Sequence, residues 1–251
     1  MNRVAIIITN YNMPERTDAL CRHIRECVLW PYSLIVIDNG SDLVPPSQYT
    51  TLKLDTNIQT TGGWLAGLKE ADRLATLAGE KFLAYWFLIT SAAFTGYSDP
   101  LTPLAWALVQ NDNAVGVHPA LTENSTTAWS HLKHRNGGGL RKTWMIDNIA
   151  ALYRADWLDE IGRFSPDLVF AWGVDLETCW KARQQGRCLY VCEDVEIEKI
   201  TNIGYDMGRM NMSAEERAIK AGVNMHTILE KRYGRDWNGR MRQEYVTNDM
   251  V

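Results

Sequence analysis

The chain has 251 residues, of which 46% are apolar and 22% charged, with a formal charge of −4 and a pI near 5.8. That balance excludes an intrinsically disordered chain, and it provides no overall basic field to hold nucleic acid. The length allows one large α/β domain or two small ones.

In chain order, residues 4–8 form a continuous apolar run of the kind buried parallel strands carry. Pro14 then opens a helix whose apolar residues Leu20, Ile24, Cys27 and Val28 recur at helical spacing. Residues 34–37 form a second buried strand, which stops abruptly at Asp38-Asn39-Gly40-Ser41-Asp42. Residues 52–54 form a short third strand, and 62–78 a helix with Leu65, Leu68, Ala71, Leu74 and Ala75 on one face. Residues 82–89 are a fourth strand, 100–110 a helix and 114–117 a fifth strand. This alternation at these lengths predicts βαβ units and a mostly parallel sheet.

Beyond residue 120 the pattern changes. Residues 122–144 are polar, contain Gly137-Gly138-Gly139, and read as a loop. Residues 145–153 read as a strand, 155–161 as a short helix, and 174–185 as a helix stopped by Gly186. Residues 188–192 are a further strand and 214–233 a long C-terminal helix. The expected organisation is a single domain with two lobes (1–120 and 121–205) and a helical extension (206–251).

Five scattered cysteines, Cys21, Cys27, Cys179, Cys188 and Cys192, form no zinc-spaced pair and argue against a disulfide framework. The opening apolar run is too short for a signal peptide, and no stretch approaches the roughly 20 apolar residues of a membrane span. A reduced, cytoplasmic setting is expected, with any membrane contact peripheral.

Ligands of open α/β sheets bind outside the carboxyl ends of the strands. Four segments leave such ends here: Thr9-Asn10-Tyr11-Asn12, Asp38 to Asp42, Asn57 to Gly63, and Thr90-Ser91-Ala92. Each alone reads as turn chemistry; their succession along one sheet edge points to a nucleotide site. The segments Ile6-Ile7-Ile8-Thr9-Asn10-Tyr11-Asn12 and Val36-Ile37-Asp38-Asn39-Gly40-Ser41 resemble the start of family 2 glycosyltransferases. The Asn57–Gly67 segment, Ile161-Gly162-Arg163-Phe164-Ser165-Pro166, and the run from Trp172 through Asp175 and Glu177 to Gly186 extend that resemblance across most of residues 4–205.

The resemblance implies a GT-A fold and inverting transfer from a nucleotide sugar to a glycan or glycolipid acceptor, as in polysaccharide biosynthesis. It implies that Asp38 accepts from the nucleobase, that Thr9, Asn10, Tyr11 and Asn57 line the base pocket, and that Gly62 and Gly63 admit the donor. The alternative for Asp38 is a helix-cap or turn aspartate. Asp175 is implied as general base, with Glu177 a further acid of the acceptor side; Asp175 is also suited to capping the helix that starts beside it.

One part of the family pattern is missing. Relatives carry Asp-Xaa-Asp after the fourth strand to hold Mg²⁺ or Mn²⁺, whereas this chain has Thr90-Ser91-Ala92. Hydroxyl and carbonyl oxygens alone coordinate a hard cation weakly. No metal cofactor is therefore expected, and a cation such as Lys199 is expected to neutralise the leaving diphosphate, with Arg209, His131, His134, Arg141 and Lys142 as further candidates. Asp99 reads as a helix start rather than a displaced ligand. Trp144 and Trp172 are candidates to stack on the acceptor sugar, and Trp157 and Trp180 belong to the core. The rival to an enzyme is a catalytically silent binder of nucleotide sugars or glycans. The basic residues after 206 suggest either a solvated face or contact with anionic lipid.

Overall fold

A computed structural model describes residues 3–96, 98–135, 137–200 and 212–242. The N-terminal part runs β1 (Val4–Asn10), α1 (Pro14–Cys27), β2 (Tyr32–Asp38), β3 (Leu52–Lys53), α2 (Gln59–Ala78), β4 (Ala84–Ile89), β5 (Ala92–Phe94), α3 (Leu101–Gln110) and β6 (Ala114–Leu121). It continues through β7 (Leu140–Thr143), β8 (Leu152–Arg154), α4 (Ala155–Glu160), α5 (Val174–Gln184), β9 (Cys188–Lys199), α6 (Ala214–Tyr233) and α7 (Trp237–Arg242).

The strands form one sheet in the order β3-β2-β1-β4-β8-β6-β9-β5, with β7 paired to β9. Pairing is parallel from β3 through β4 and between β6 and β9. It is antiparallel where β8 lies between β4 and β6, and where β5 and β7 join β9. The sheet is thus mixed. The predicted parallel character holds from β3 through β4, and the antiparallel pairings come from the short strands β5, β7 and β8, of which β7 and β8 follow the change of pattern.

Alternation along β1 explains how a strand with no polar face is buried. Val4, Ile6 and Ile8 pack with Leu20 and Ile24 of α1 and Leu104 and Leu108 of α3. Ala5 and Ile7 face the other way, toward Trp64 and Leu68 of α2 and toward Phe164 and Leu176. Helices on both faces make every position of the strand a core position. Gly67 lets α2 approach that closely, since a Cβ there would lie 2.4 Å from Ile7 Cγ2.

Several expectations shift. Residues 145–151 are a buried loop rather than a strand, because regular pairing begins only at Leu152. The last strand runs to Lys199, seven residues beyond the predicted end, and this carries Lys199 to the sheet edge. Asp99 does start a helix: its carboxylate accepts from the amides of Leu101 and Thr102 at 2.9 and 3.2 Å. Among the described residues, no helix is long and apolar enough to cross a membrane.

Candidate active site

A cleft of about 580 Å³ opens where the carboxyl ends of β1, β2 and β4 meet the N-terminal end of α2. Thr9 and Tyr11 follow β1, Asn39 follows β2, and Thr90 and Ser91 follow β4. Asn39 ties this wall together. Its Nδ2 donates to Asn57 Oδ1 and to the Gln59 carbonyl, and its Oδ1 accepts from the Ile58 amide. The other wall contains Trp129, Asp147, Trp172, Asp175 and Lys199, and the C-terminal helices add Arg217 and Arg242.

The structure brings Thr9, Tyr11, Asn57, Thr90, Ser91, Trp172, Asp175 and Lys199 to this one cleft. The other sequence candidates are elsewhere. Asp38 is fully buried, and its carboxylate is engaged by Asn10 Nδ2 and by the hydroxyl and amide of Ser41. It organises the loop after β2, and its neighbour Asn39 is the residue at the cleft surface. Asn10 is buried as well, accepting from the Met13 amide.

Gly62 and Gly63 do not line the cleft and are closely packed. A Cβ on Gly62 would meet the Ile58 side chain at 2.8 Å, and one on Gly63 would meet Thr9 Cγ2 at 2.5 Å. Trp144 lies behind the wall, edge-on to Trp129 at 5.7 Å, so Trp129 is the indole that faces the cleft. Glu177 is 2% exposed and accepts from Tyr233 Oη and Arg232 Nη1, which fastens the end of α6 to α5.

Among the cationic candidates, Arg141 and His134 surround the buried Glu193. His131 contacts the Met145 carbonyl, and Lys142 does not line the cleft. Arg209 lies outside the described residues. The basic residues of the extension have varied surroundings among the described residues. Arg217 and Arg242 line the cleft, Arg232 pairs with Glu177 and Asp167, and Lys220 and Arg240 pair with Glu216 and Asp236.

Asp175 sits in the first turn of α5, just after Gly173, whose φ of 85° is a left-handed conformation that suits glycine. Thr61 fixes the loop leading there. Its hydroxyl donates to the Leu168 carbonyl and accepts from the Ala171 amide, and its own amide donates to the Val169 carbonyl. One buried threonine of α2 thus holds the segment that presents Trp172 and Asp175. Thr61→Val is expected to lower stability by about 1–3 kcal/mol, the cost of orphaning buried polar groups. Activity should fall with it, and Thr61→Ser should retain both; thermal melts and initial rates of the two variants check this.

Asp147 is the functional candidate that the sequence reading missed. It lies in the buried loop before β8, and its Oδ1 accepts from the Ile149 amide. Burial raises the pKa of both Asp147 and Asp175. Asp175 is pushed up to about 7 by burial and then by the neighbouring charge of Asp147, while the amides at the start of α5 and the charge of Arg242 pull it back. Lys199 acts on Asp147 in the opposite sense to burial, favouring its charged form. The two carboxylates therefore titrate as a pair.

Because the folded pKa of Asp175 exceeds its unfolded value, the stability it contributes is full below about 4 and is lost as pH rises through about 7. Asp147→Asn removes the like charge, so the pKa of Asp175 should drop by about a unit or more. Stability at pH 8 should then rise, and urea melts at pH 5 and pH 8 give the comparison.

No protein-family profile and no curated protein matches the sequence. Solved structures match its fold. GalNAc-T7 with UDP, GalNAc and Mn²⁺ superposes with a TM-score of 0.62 at 10% identity, over 80% of this chain and 44% of that one. The mannosyltransferase PcManGT from Pyrobaculum calidifontis, with GDP-Man and Mn²⁺, gives 0.60 at 14% identity, over 96% and 74%. The chain spans less than half the length of the first of these proteins. It has the GT-A fold, a mixed α/β sheet flanked by helices.

Both of these structures contain Mn²⁺. The end of β4, where the family resemblance puts a divalent ion, carries Thr90 and Ser91 and no carboxylate of its own, and the cleft adds only Asp147 and Asp175. Among the described residues, no group of three or more His, Cys, Asp or Glu side chains is arranged to hold a metal. The residues at that strand end do not fit a hard divalent cation.

Proposed function

We propose that this protein is an inverting glycosyltransferase that moves a sugar from a nucleotide-sugar donor to a hydroxyl of a glycan or glycolipid acceptor. The observation that carries this reading is the position of Asp175, at the start of α5 in a cleft built from the strand ends of a GT-A sheet. A carboxylate there, with its pKa raised to about 7, suits a general base working near neutrality.

In the proposed reaction the acceptor oxygen attacks the anomeric carbon and gives its proton to Asp175. The bond from that carbon to the phosphate oxygen breaks, and the nucleoside diphosphate leaves with the electron pair. A single displacement inverts the anomeric centre. Trp172, 40% exposed, offers an indole face to the acceptor ring. Thr9, Tyr11 and Asn57 offer the polar groups for the nucleoside, with Asn39 holding Asn57 in place. Lys199 offers positive charge to the departing diphosphate, in place of a divalent ion.

Turnover of a nucleotide-sugar panel in EDTA, read as released nucleoside diphosphate, tests the reading. Release by the wild type but not by Asp175→Asn supports it. Nucleotide binding without release on any donor and acceptor pair would favour a silent binder, the reading that the hydroxyl-only end of β4 recommends.

A further inference from the structure

Arg217 belongs to α6, far along the chain from the strands that build the cleft, yet it lines that cleft. Among the described residues it is the only buried arginine or lysine, at 8% exposure. Its Nη2 donates to Thr60 Oγ1 at 2.9 Å, 157 residues earlier, and its guanidinium lies 6.0 Å from the centre of the Phe170 ring. Thr60 is in the first turn of α2, a 20-residue helix whose N-terminal residues Gln59 and Thr60 also line the cleft.

Three features converge at this point. A guanidinium presents a planar fork of donors that matches phosphate oxygens. The start of a long helix adds partial positive charge, while the amides of Ile58, Gln59 and Thr61 are already engaged by Asn39, Asn57 and the Val169 carbonyl. Burial costs a charged group its hydration, so a buried cation beside a cleft favours an anion that enters and replaces that hydration. The charge balance agrees: the cleft lining has Lys199, Arg217 and Arg242 against Asp147 and Asp175.

We propose that Arg217, delivered by α6 to the N-terminal end of α2, is the anchor for the phosphate groups of the nucleotide donor. This rests on the nucleotide-sugar reading of the cleft and adds a residue that the end of β4 does not supply. The C-terminal extension is then part of the donor site. Lys199 meets the charge that develops at bond breaking, whereas Arg217 holds the phosphates already in the ground state.

The test is calorimetry in EDTA with UDP, GDP, uridine, guanosine and inorganic pyrophosphate on wild type and Arg217→Gln. The expected result is a loss of about 10- to 100-fold in affinity for the preferred nucleoside diphosphate. Pyrophosphate binding should weaken in parallel, and affinity for the matching nucleoside should stay within about twofold. Unchanged diphosphate binding, or an equal loss for the nucleoside, would overturn the proposal. Should Arg217→Gln unfold, the wild type alone decides: equal affinity for nucleoside and nucleoside diphosphate sinks the idea, and Arg217→Lys should show an intermediate loss. Diphosphate binding through Arg217 with no sugar transfer leaves the anchor standing and removes the transferase reading; transfer unaffected by Arg217→Gln does the reverse.

Discussion

Replacing Asp175 with asparagine is expected to lower kcat by about 10²- to 10⁴-fold, the range that a positioned general base supplies. Donor affinity should change little, because the substitution is nearly isosteric and the proposed nucleoside contacts come from other elements. The variant should also be more stable than the wild type at pH 8. In the wild type a carboxylate whose pKa has been raised to about 7 must ionise in a half-buried site, next to Asp147. The amide escapes that cost, worth on the order of 1–3 kcal/mol. An inactive variant with a higher melting temperature at pH 8, and a smaller gain at pH 5, would distinguish a base under electrostatic tension from a helix-capping aspartate. A capping residue predicts the reverse: lower stability at pH 8 and modest loss of activity. For the wild type, the acid limb of kcat/KM should fall away below about pH 7, as Asp175 takes up the first proton of the Asp147–Asp175 pair.

The second large effect concerns Lys199. The Lys199 amide donates to Ser125 Oγ, and the Ile200 amide donates to the Ser91 carbonyl, so the end of β9 is fixed against the end of β4. That places Lys199 in the cleft with Thr90 and Ser91, where the resemblance assigns a metal. Lys199→Met is expected to reduce kcat by about 10²- to 10³-fold, comparable with losing one donor to a developing anion. EDTA should leave wild-type turnover within about twofold. If EDTA abolishes turnover and Mn²⁺ restores it, a metal ion does the neutralising and Lys199 does not. If Lys199→Met is as active as the wild type in EDTA, charge neutralisation rests with other groups of the cleft.

Much of the nucleotide side was legible in the sequence because its signals are local. An apolar run followed by Thr9-Asn10-Tyr11 marks a strand end, and Asp38 to Asp42 marks another. What the sequence does not resolve is which residue of a polar run points outward. Asp38 and Asn39 are adjacent, yet one is sealed under the loop by Ser41 and Asn10 and the other faces the cleft. Both are plausible partners for a base, and only the three-dimensional hydrogen bonding separates them. Asp147 escaped notice because residues 145–153 read as one apolar strand, and a carboxylate inside such a run carries no motif. Glu177 failed for the opposite reason: it follows the catalytic candidate by two residues, but helical geometry turns it inward to Arg232 and Tyr233. Arg217 had no local signal, since its partner Thr60 is 157 residues away.

The position of β8 bears on how such a chain is synthesised. It contributes only three residues, Leu152–Arg154, but lies between β4 and β6 and pairs with both. Until residue 154 has left the ribosome, β4 and β6 have no common neighbour, and each presents an unpaired edge of the kind that recruits foreign strands. The first 120 residues therefore contain most of the parallel half but no finished sheet. A nascent chain must hold two apolar edges apart until three late residues join them, so slow translation through that stretch would expose the chain to aggregation, and a chaperone that shields strand edges would matter most there.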